Sequence, residues 1–218
     1  MSTIDIGAAP QSLADLAYDA LRARLVTLEI APGSPINDET LAAELGVGRT
    51  PVREALKRLE QDRLVVTYAR RGTFATRVEI TDLAYLSEIR AELEPLAARR
   101  AARCATPAAA DALRAAITDL DDLDDSVDVV TLLQADAAVH RAIYRAAANP
   151  FLEDSLVRFN NLATRIWVLV MDRLDHVAGH LHSHTDLVHA ILDGDADRAA
   201  LLARTHVELF EQSVRAAL

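Results

Sequence analysis

The sequence is poor in cysteine, in aromatics and in the two residues that break helices. One cysteine, Cys104, stands among 218 residues, so no intrachain disulfide can form. Four Phe, four Tyr and one Trp are too few to dominate a core, which must therefore be aliphatic. Glycine and proline number seven each, which argues against a protein of many tight turns. The longest strictly apolar run, Ile166–Met171, is far short of the roughly 20 residues a membrane helix needs. The N-terminus carries Asp5 and no basic, apolar leader pattern. These absences predict a soluble, cytoplasmic protein with no membrane partner. What is abundant is alanine and leucine, within a 51% apolar composition that favours helix over sheet.

Charge divides the chain. Lys and Arg number 23 against 33 Asp and Glu, a formal net charge of −10. Residues 79–218 hold that whole excess, and residues 1–78 are neutral. Within the neutral part, residues 49–77 carry eight basic side chains (Arg49, Arg53, Lys57, Arg58, Arg63, Arg70, Arg71, Arg77) against Glu54, Glu60 and Asp62. A local +5 on an acidic protein is either a solvated helix face or a footprint for a polyanion. The elements beneath it decide between the two.

Residues 11–29 repeat apolar side chains at helical spacing: Leu13, Leu16, Ala17, Ala20, Leu21, Leu25 and Leu28. Pro32 and Pro35 end that helix. A short helix fits Asp38–Leu45, and Gly46-Val47-Gly48 makes a turn. Thr50 then reads as a cap, with Pro51 at the first helical position. The next helix turns Val52, Ala55, Leu56 and Leu59 inward and places Arg53 and Lys57 on another face, with Arg49 just before its start. This is a helix-turn-helix whose second helix enters the major groove by its N-terminal end. There an arginine forks onto guanine or clasps a phosphate. Two β-prone runs, Leu64–Tyr68 and Thr73–Val78, flank Ala69-Arg70-Arg71-Gly72 and predict a basic-tipped hairpin, a wing.

The stretch Gly46-Val-Gly-Arg-Thr-Pro-Val-Arg-Glu-Ala-Leu56, with Arg70-Arg-Gly-Thr-Phe74, resembles the GntR family of bacterial transcription regulators. The resemblance implies binding of double-stranded operator DNA by Arg49, Thr50 and Arg53, with Arg71 and Gly72 in the wing. Gly48 departs from the serine frequent there, and Glu39 stands where the fatty-acid-responsive branch places arginine.

Beyond residue 80 no strand alternation appears. Six helices are expected: about Thr81–Ala105 with a kink at Pro95, then Pro107 to Leu123, Val127–Ala148, Pro150 to Leu174, His180–Leu192, and a last one from Asp195 to Ala216. The fold class is thus mainly α: a winged helix-turn-helix domain, 1–78, and an antiparallel six-helix bundle, 79–218.

The seven histidines carry the chemistry of the second domain. Helical phase puts Leu133, Asp136, His140 and Ile143 on one inward face. It does the same for His184, Leu187, Val188 and Ile191, and for Leu202, His206, Leu209 and Phe210. A lone core histidine is usually just hydrogen-bonded. An inward aspartate beside three inward imidazoles needs compensation, and a divalent metal supplies it. Three His and one Asp suit Zn²⁺, and also Ni²⁺, Mn²⁺ or Fe²⁺. His176, His180, His182 and His189 have no such assignment; a loop near Gly179 would leave His180 and His182 partly exposed, and His176, His180 and His184 at four-residue spacing offer an alternative site. Cys104 reads as a small core residue. The acidic run Asp119–Asp125 lacks the glycine and spacing of an EF-hand loop and reads as a solvated helix end.

Asp136-Ala-Ala-Val-His140, Ala148-Asn-Pro-Phe-Leu152, His184, Gly194-Asp195-Ala196 and His206 resemble the acid-sensing FCD domain of the FadR branch, in its shorter, VanR-like subgroup. Asp136, His140, His184 and His206 fill all four metal positions of that family. The resemblance also implies a small carboxylate effector met by Arg90, in Glu88-Ile-Arg90. Arg165, before Trp167, and Asn161 one turn earlier are further effector candidates. The expected protein is a metabolite-responsive transcription regulator, a repressor that binds its operator as a homodimer. Two other readings stay open on the residues alone. One is a non-haem metal-dependent enzyme with an appended DNA-binding head, although no nucleophile motif or phosphate-binding glycine loop is found. The other is a ligand-independent DNA-binding protein with a structural metal.

Overall fold

The computed structural model describes residues 11–123, 127–173 and 177–218, with only the backbone for 177–182. The chain divides into two compact units, Met1–Arg77 and Val78–Leu218.

The first unit opens with α1 (Leu13–Val26). Ser12 caps it: its hydroxyl accepts the Asp15 N–H, and the Asp15 carboxylate accepts the Ser12 N–H in return. Its packed face is Ala17, Leu21, Leu25 and Val26, so the predicted stripe is corrected at its start, where Leu13 and Leu16 are exposed. A short strand follows, β1 (Pro35–Ile36), which helical periodicity had no means of showing. It pairs antiparallel with the wing. Pro35 is tolerated because it begins an edge strand.

Next come α2 (Asp38–Leu45) and α3 (Arg49–Gln61). Asn37 caps α2 by accepting the N–H groups of Glu39 and Thr40, and Gly46 ends it in the left-handed conformation at φ 65°. The cap of α3 is Gly48, which has no side chain to offer; Thr50 lies inside the helix, a correction to its reading as the cap. Val52, Ala55, Leu56 and Leu59 are buried as the pattern predicts. The hairpin pairs β2 (Val65–Tyr68) with β3 (Gly72–Ala75), and the three strands run in the order β1-β3-β2.

The second unit contains, among the described residues, α4 (Asp82–Cys104), α5 (Pro107–Asp121), α6 (Val129–Ala146), α7 (Pro150–Val170), α8 (Val177–Leu192) and α9 (Ala196–Ala216). Thr106, Asp128, Asn149 and Asp195 cap their helices through side-chain oxygens. The helix α4 runs through Pro95 without interruption and lies along α9. One core cluster is alanine- and leucine-rich, drawing on Ala97, Leu113, Val139, Leu156, Val188 and Ala203. A second gathers Leu83, Leu133, Ile166, Trp167, Phe210 and Val214.

Three expectations are corrected here. Cys104 is exposed, because it is the last residue of α4. Leu209 is also exposed; the inward line of α9 is Ala199, Ala203, His206, Val207, Phe210 and Val214. Gly179 lies within α8 and not in a loop, since that helix begins at Val177. His189, on the same helix, is exposed. His176, Asp124, Asp125 and the side chains of His180 and His182 lie outside the described residues.

Candidate functional site

In the first unit, Arg49, Thr50 and Arg53 are exposed at the N-terminal end of α3. The two arginines are not loose. The Asp38 carboxylate, on the first residue of α2, accepts from Arg49 Nη2 at 3.2 Å and from Arg53 Nε. The Arg53 hydrogen bond is the main cause that holds the Asp38 carboxyl below its usual range. In the wing, Arg71 stands over the Tyr68 ring at 5.7 Å, and Gly72 takes φ 93° where it pairs with Tyr68. Arg70 also adopts a positive φ, 63°, a strained tip that the pattern of residue types did not announce.

In the second unit, α6 supplies Asp136 and His140, α8 supplies His184 and α9 supplies His206. All four are buried, at 3% exposure or less. The nitrogen atoms that the three imidazoles offer lie within 4.8 Å of one another. Nε2 of His184 is 3.2 Å from Nε2 of His140, and 3.5 Å from Asp136 Oδ1. His140 Nε2 is 3.9 Å from Asp136 Oδ2. Ligand atoms about 2.1 Å from a tetrahedral ion are about 3.4 Å apart, so the spacing of this donor set fits one divalent metal.

Outer partners orient the rings. Tyr144 Oη meets His140 Nδ1 at 3.0 Å, and Ser183 Oγ meets His206 Nδ1 at 2.8 Å. Each contact leaves Nε2 as the ring nitrogen that could hold a metal. Burial pushes the Asp136 carboxyl up to about 7, against the pull of Arg90 and Arg141. A metal would favour its ionised form instead. Burial likewise lifts the Tyr144 phenol well above its ordinary value, and Glu94 adds to that rise.

The candidate effector residues are all buried. Arg90 is 2% exposed, donates Nε to Glu94 Oε1 at 2.6 Å, and stands over the Phe210 ring at 5.1 Å. Burial works against its cation, but Glu94, Tyr144 and Asp136 offset this and hold it above its usual value. Arg165, also 2% exposed, is lowered to about 10 by burial. The helices α4 and α7 pack together, and besides these arginines they bury Ser87 and Asn161. Ser87 Oγ and Asn161 Nδ2 make no hydrogen bond among the described residues. Buried polar atoms of this kind cost about 1–3 kcal/mol each, which a polar ligand would relieve.

Sequence reasoning missed Asp38, Tyr144 and Ser183 and left Glu94 without a role. Tyr144 was readable, because Asp136, His140 and Tyr144 recur at four-residue intervals on one face. Glu94 follows Arg90 by the same interval. Ser183 reaches His206 only because α8 packs against α9, so no spacing along the chain marks it.

Comparisons with known proteins agree with this architecture. Residues 13–75 match the model of bacterial regulatory proteins of the gntR family, and residues 85–209 match the FCD domain. An uncharacterized HTH-type transcriptional regulator in an unstable DNA locus of Streptomyces ambofaciens is 30% identical over 193 residues, 87% of this chain and 80% of that protein. The Nta operon transcriptional regulator of Aminobacter aminovorans is 30% identical over 187 residues, 84% of this chain and 85% of its own. Among solved structures, Escherichia coli McbR/YncC aligns at a TM-score of 0.75 with 22% identity, covering 92% of this chain and 98% of that one. A GntR regulator from Rhodococcus aligns at 0.73 with 22% identity, covering 94% and 98%. A helix-turn-helix with a wing, followed by a helical FCD domain, makes this chain a member of the GntR family, a DNA-binding transcription regulator.

Proposed function

We propose that the protein is a metabolite-responsive repressor that binds a two-fold symmetric operator as a homodimer. Its FCD domain holds one divalent metal, with Zn²⁺ the best fit, through Asp136, His140, His184 and His206. The observation that carries this reading is the buried three-histidine, one-aspartate cluster, whose donor atoms are spaced as ligands of one ion. The metal supplies a Lewis-acid anchor for an anionic oxygen. A small carboxylate would take that anchor, and Arg90, Asn161 and Arg165 would serve its other groups. A similar protein, RspR of Escherichia coli, is named a transcriptional repressor at 24% identity, which accords with the sign of regulation proposed. Arg49, Thr50 and Arg53 read the DNA, and Arg71 and Gly72 bring the wing to the backbone. The ligand changes operator affinity only through unequal affinity for two packings of the bundle.

The test is metal analysis of tag-free wild type and His184→Ala, followed by a thermal-shift screen of small carboxylates with and without chelator. The expected results are about one metal per wild-type chain, loss of metal in the variant, and carboxylate-dependent stabilisation that chelation abolishes. Equal metal content in both proteins would reject the site. A tight neutral ligand would reject the carboxylate.

A further inference from the structure

The DNA-reading end of α3 contains an acid among its cations. Asp38 is the first residue of α2, and the Asn37 cap fixes the backbone there. Its carboxylate bridges the two arginines that begin α3: one oxygen accepts Arg49 Nη2, the other Arg53 Nε. Glu39 Oε2 adds a longer contact to Arg49 Nη1 at 3.9 Å. Both arginines remain more than half exposed, while the Asp38 side chain is 21% exposed. The bridge therefore holds Arg53 from behind, at Nε, whereas the Nη1/Nη2 edge of Arg49 is turned to Glu39 and Asp38.

The choice of nitrogen matters. Held at Nε, the Arg53 guanidinium keeps its Nη1/Nη2 edge outward, a fork that matches O6 and N7 of guanine. An unrestrained arginine on a helix end samples many rotamers and clings to any phosphate it meets. One held in place has already lost that freedom, so a correctly placed base gains more. The carboxylate also offsets part of the positive charge that backbone phosphates would feel, whatever the sequence.

We propose that Asp38 is a positioning residue that sets sequence discrimination: it aims Arg53 at a base edge, screens Arg49, and weakens binding to DNA of arbitrary sequence. This rests on the reading that α3 faces DNA, and the experiment separates the two ideas. Two probes are used, a random-sequence duplex and the duplexes that wild type enriches from a random library. Binding is measured by fluorescence anisotropy over a range of salt for wild type, Asp38→Asn, Asp38→Glu and the Arg49→Ala/Arg53→Ala double variant.

Asp38→Asn should bind the random duplex about five- to tenfold more tightly, with a salt slope steeper by up to about one counterion. Its ratio of enriched to random affinity should fall about tenfold, and Asp38→Glu should restore part of it. A purely structural role at the start of α2 would lower both affinities together and leave the ratio and salt slope unchanged; that result overturns the proposal. If the double-alanine variant loses discrimination while Asp38→Asn keeps it, Asp38 alone has been misassigned. If the double-alanine variant discriminates as well as wild type, the recognition-helix reading fails and the proposal falls with it.

Discussion

Replacing Arg90 is the obvious probe of effector binding, and the structure predicts that it will do more than remove a ligand contact. Arg90 and Glu94 are 2% and 3% exposed, with 2.6 Å between Nε and Oε1. Arg90→Ala leaves the Glu94 carboxylate in the core, 4.0 Å from His140 Nδ1, without its cation. Glu94→Gln leaves the guanidinium there without its anion. Breaking a buried pair by removing one member costs about 3–5 kcal/mol, because the remaining charge is uncompensated. In a domain of this size about 1 kcal/mol lowers the melting temperature by about 2–4 °C, so each single change should lower the transition of the second unit by about 6–20 °C. The double variant Arg90→Met/Glu94→Gln removes both charges, fills part of the arginine's volume and keeps an acceptor for Tyr144. It should recover more than about 2 kcal/mol relative to the sum of the two single effects. Calorimetric melting of wild type, Arg90→Met, Glu94→Gln and the double variant, each with chelator, closes the cycle without any contribution from metal. Additive losses in the double variant, or single variants as stable as wild type, would refute the assignment of this pair as a coupled buried unit. The consequence for function is direct: a failed effector response in Arg90→Ala is interpretable only beside the melting data.

Two further predictions concern the first unit. Burial, and then the hydrogen bond to Asp62, push the Tyr18 phenol up to about 12, above its ordinary 10.0. A folded-state value above the unfolded one gives a stabilisation that is complete below pH 10 and lost as pH rises from 10 towards 12. Urea midpoints should therefore hold to about pH 9.5 and then fall. Tyr18→Phe should remove part of that alkaline loss, and an identical pH profile in the variant would be the contrary result. Gly46 ends α2 at φ 65° with open space around its Cα, so Gly46→Ala meets only backbone strain. The cost should be about 1 kcal/mol, or roughly 4–8 °C in the melting of this unit, and an unchanged transition would show that the turn relaxes.

The parts of the fold readable in the sequence are those that depend on one element at a time. Helical phase alone predicts that Asp136, His140, His184 and His206 point inward, and the three helices bring them together. Where that reasoning falls short, the missing information lies in a second element. Leu209 shares the phase of His206 yet is exposed, because the width of the buried stripe on α9 is set by its neighbours. Thr50 has the chemistry of a cap, but the turn from α2 reaches α3 two residues too early for it, and Gly48 takes the place. The two-residue strand β1 exists only because β3 lies beside it. Charges show the same limit with greater consequence. Nothing in the spacing from residue 38 to residue 53 marks the Asp38–Arg53 bridge, yet it changes how much positive charge α3 presents. Arg90 looks like a cation awaiting an acid until Glu94 is found against it. An effector carboxylate that engages Arg90 must then compete with Glu94 or share the guanidinium with it. Because Glu94 also bears on Tyr144, which holds His140, that competition would reach the proposed metal ligands through contacts already in place.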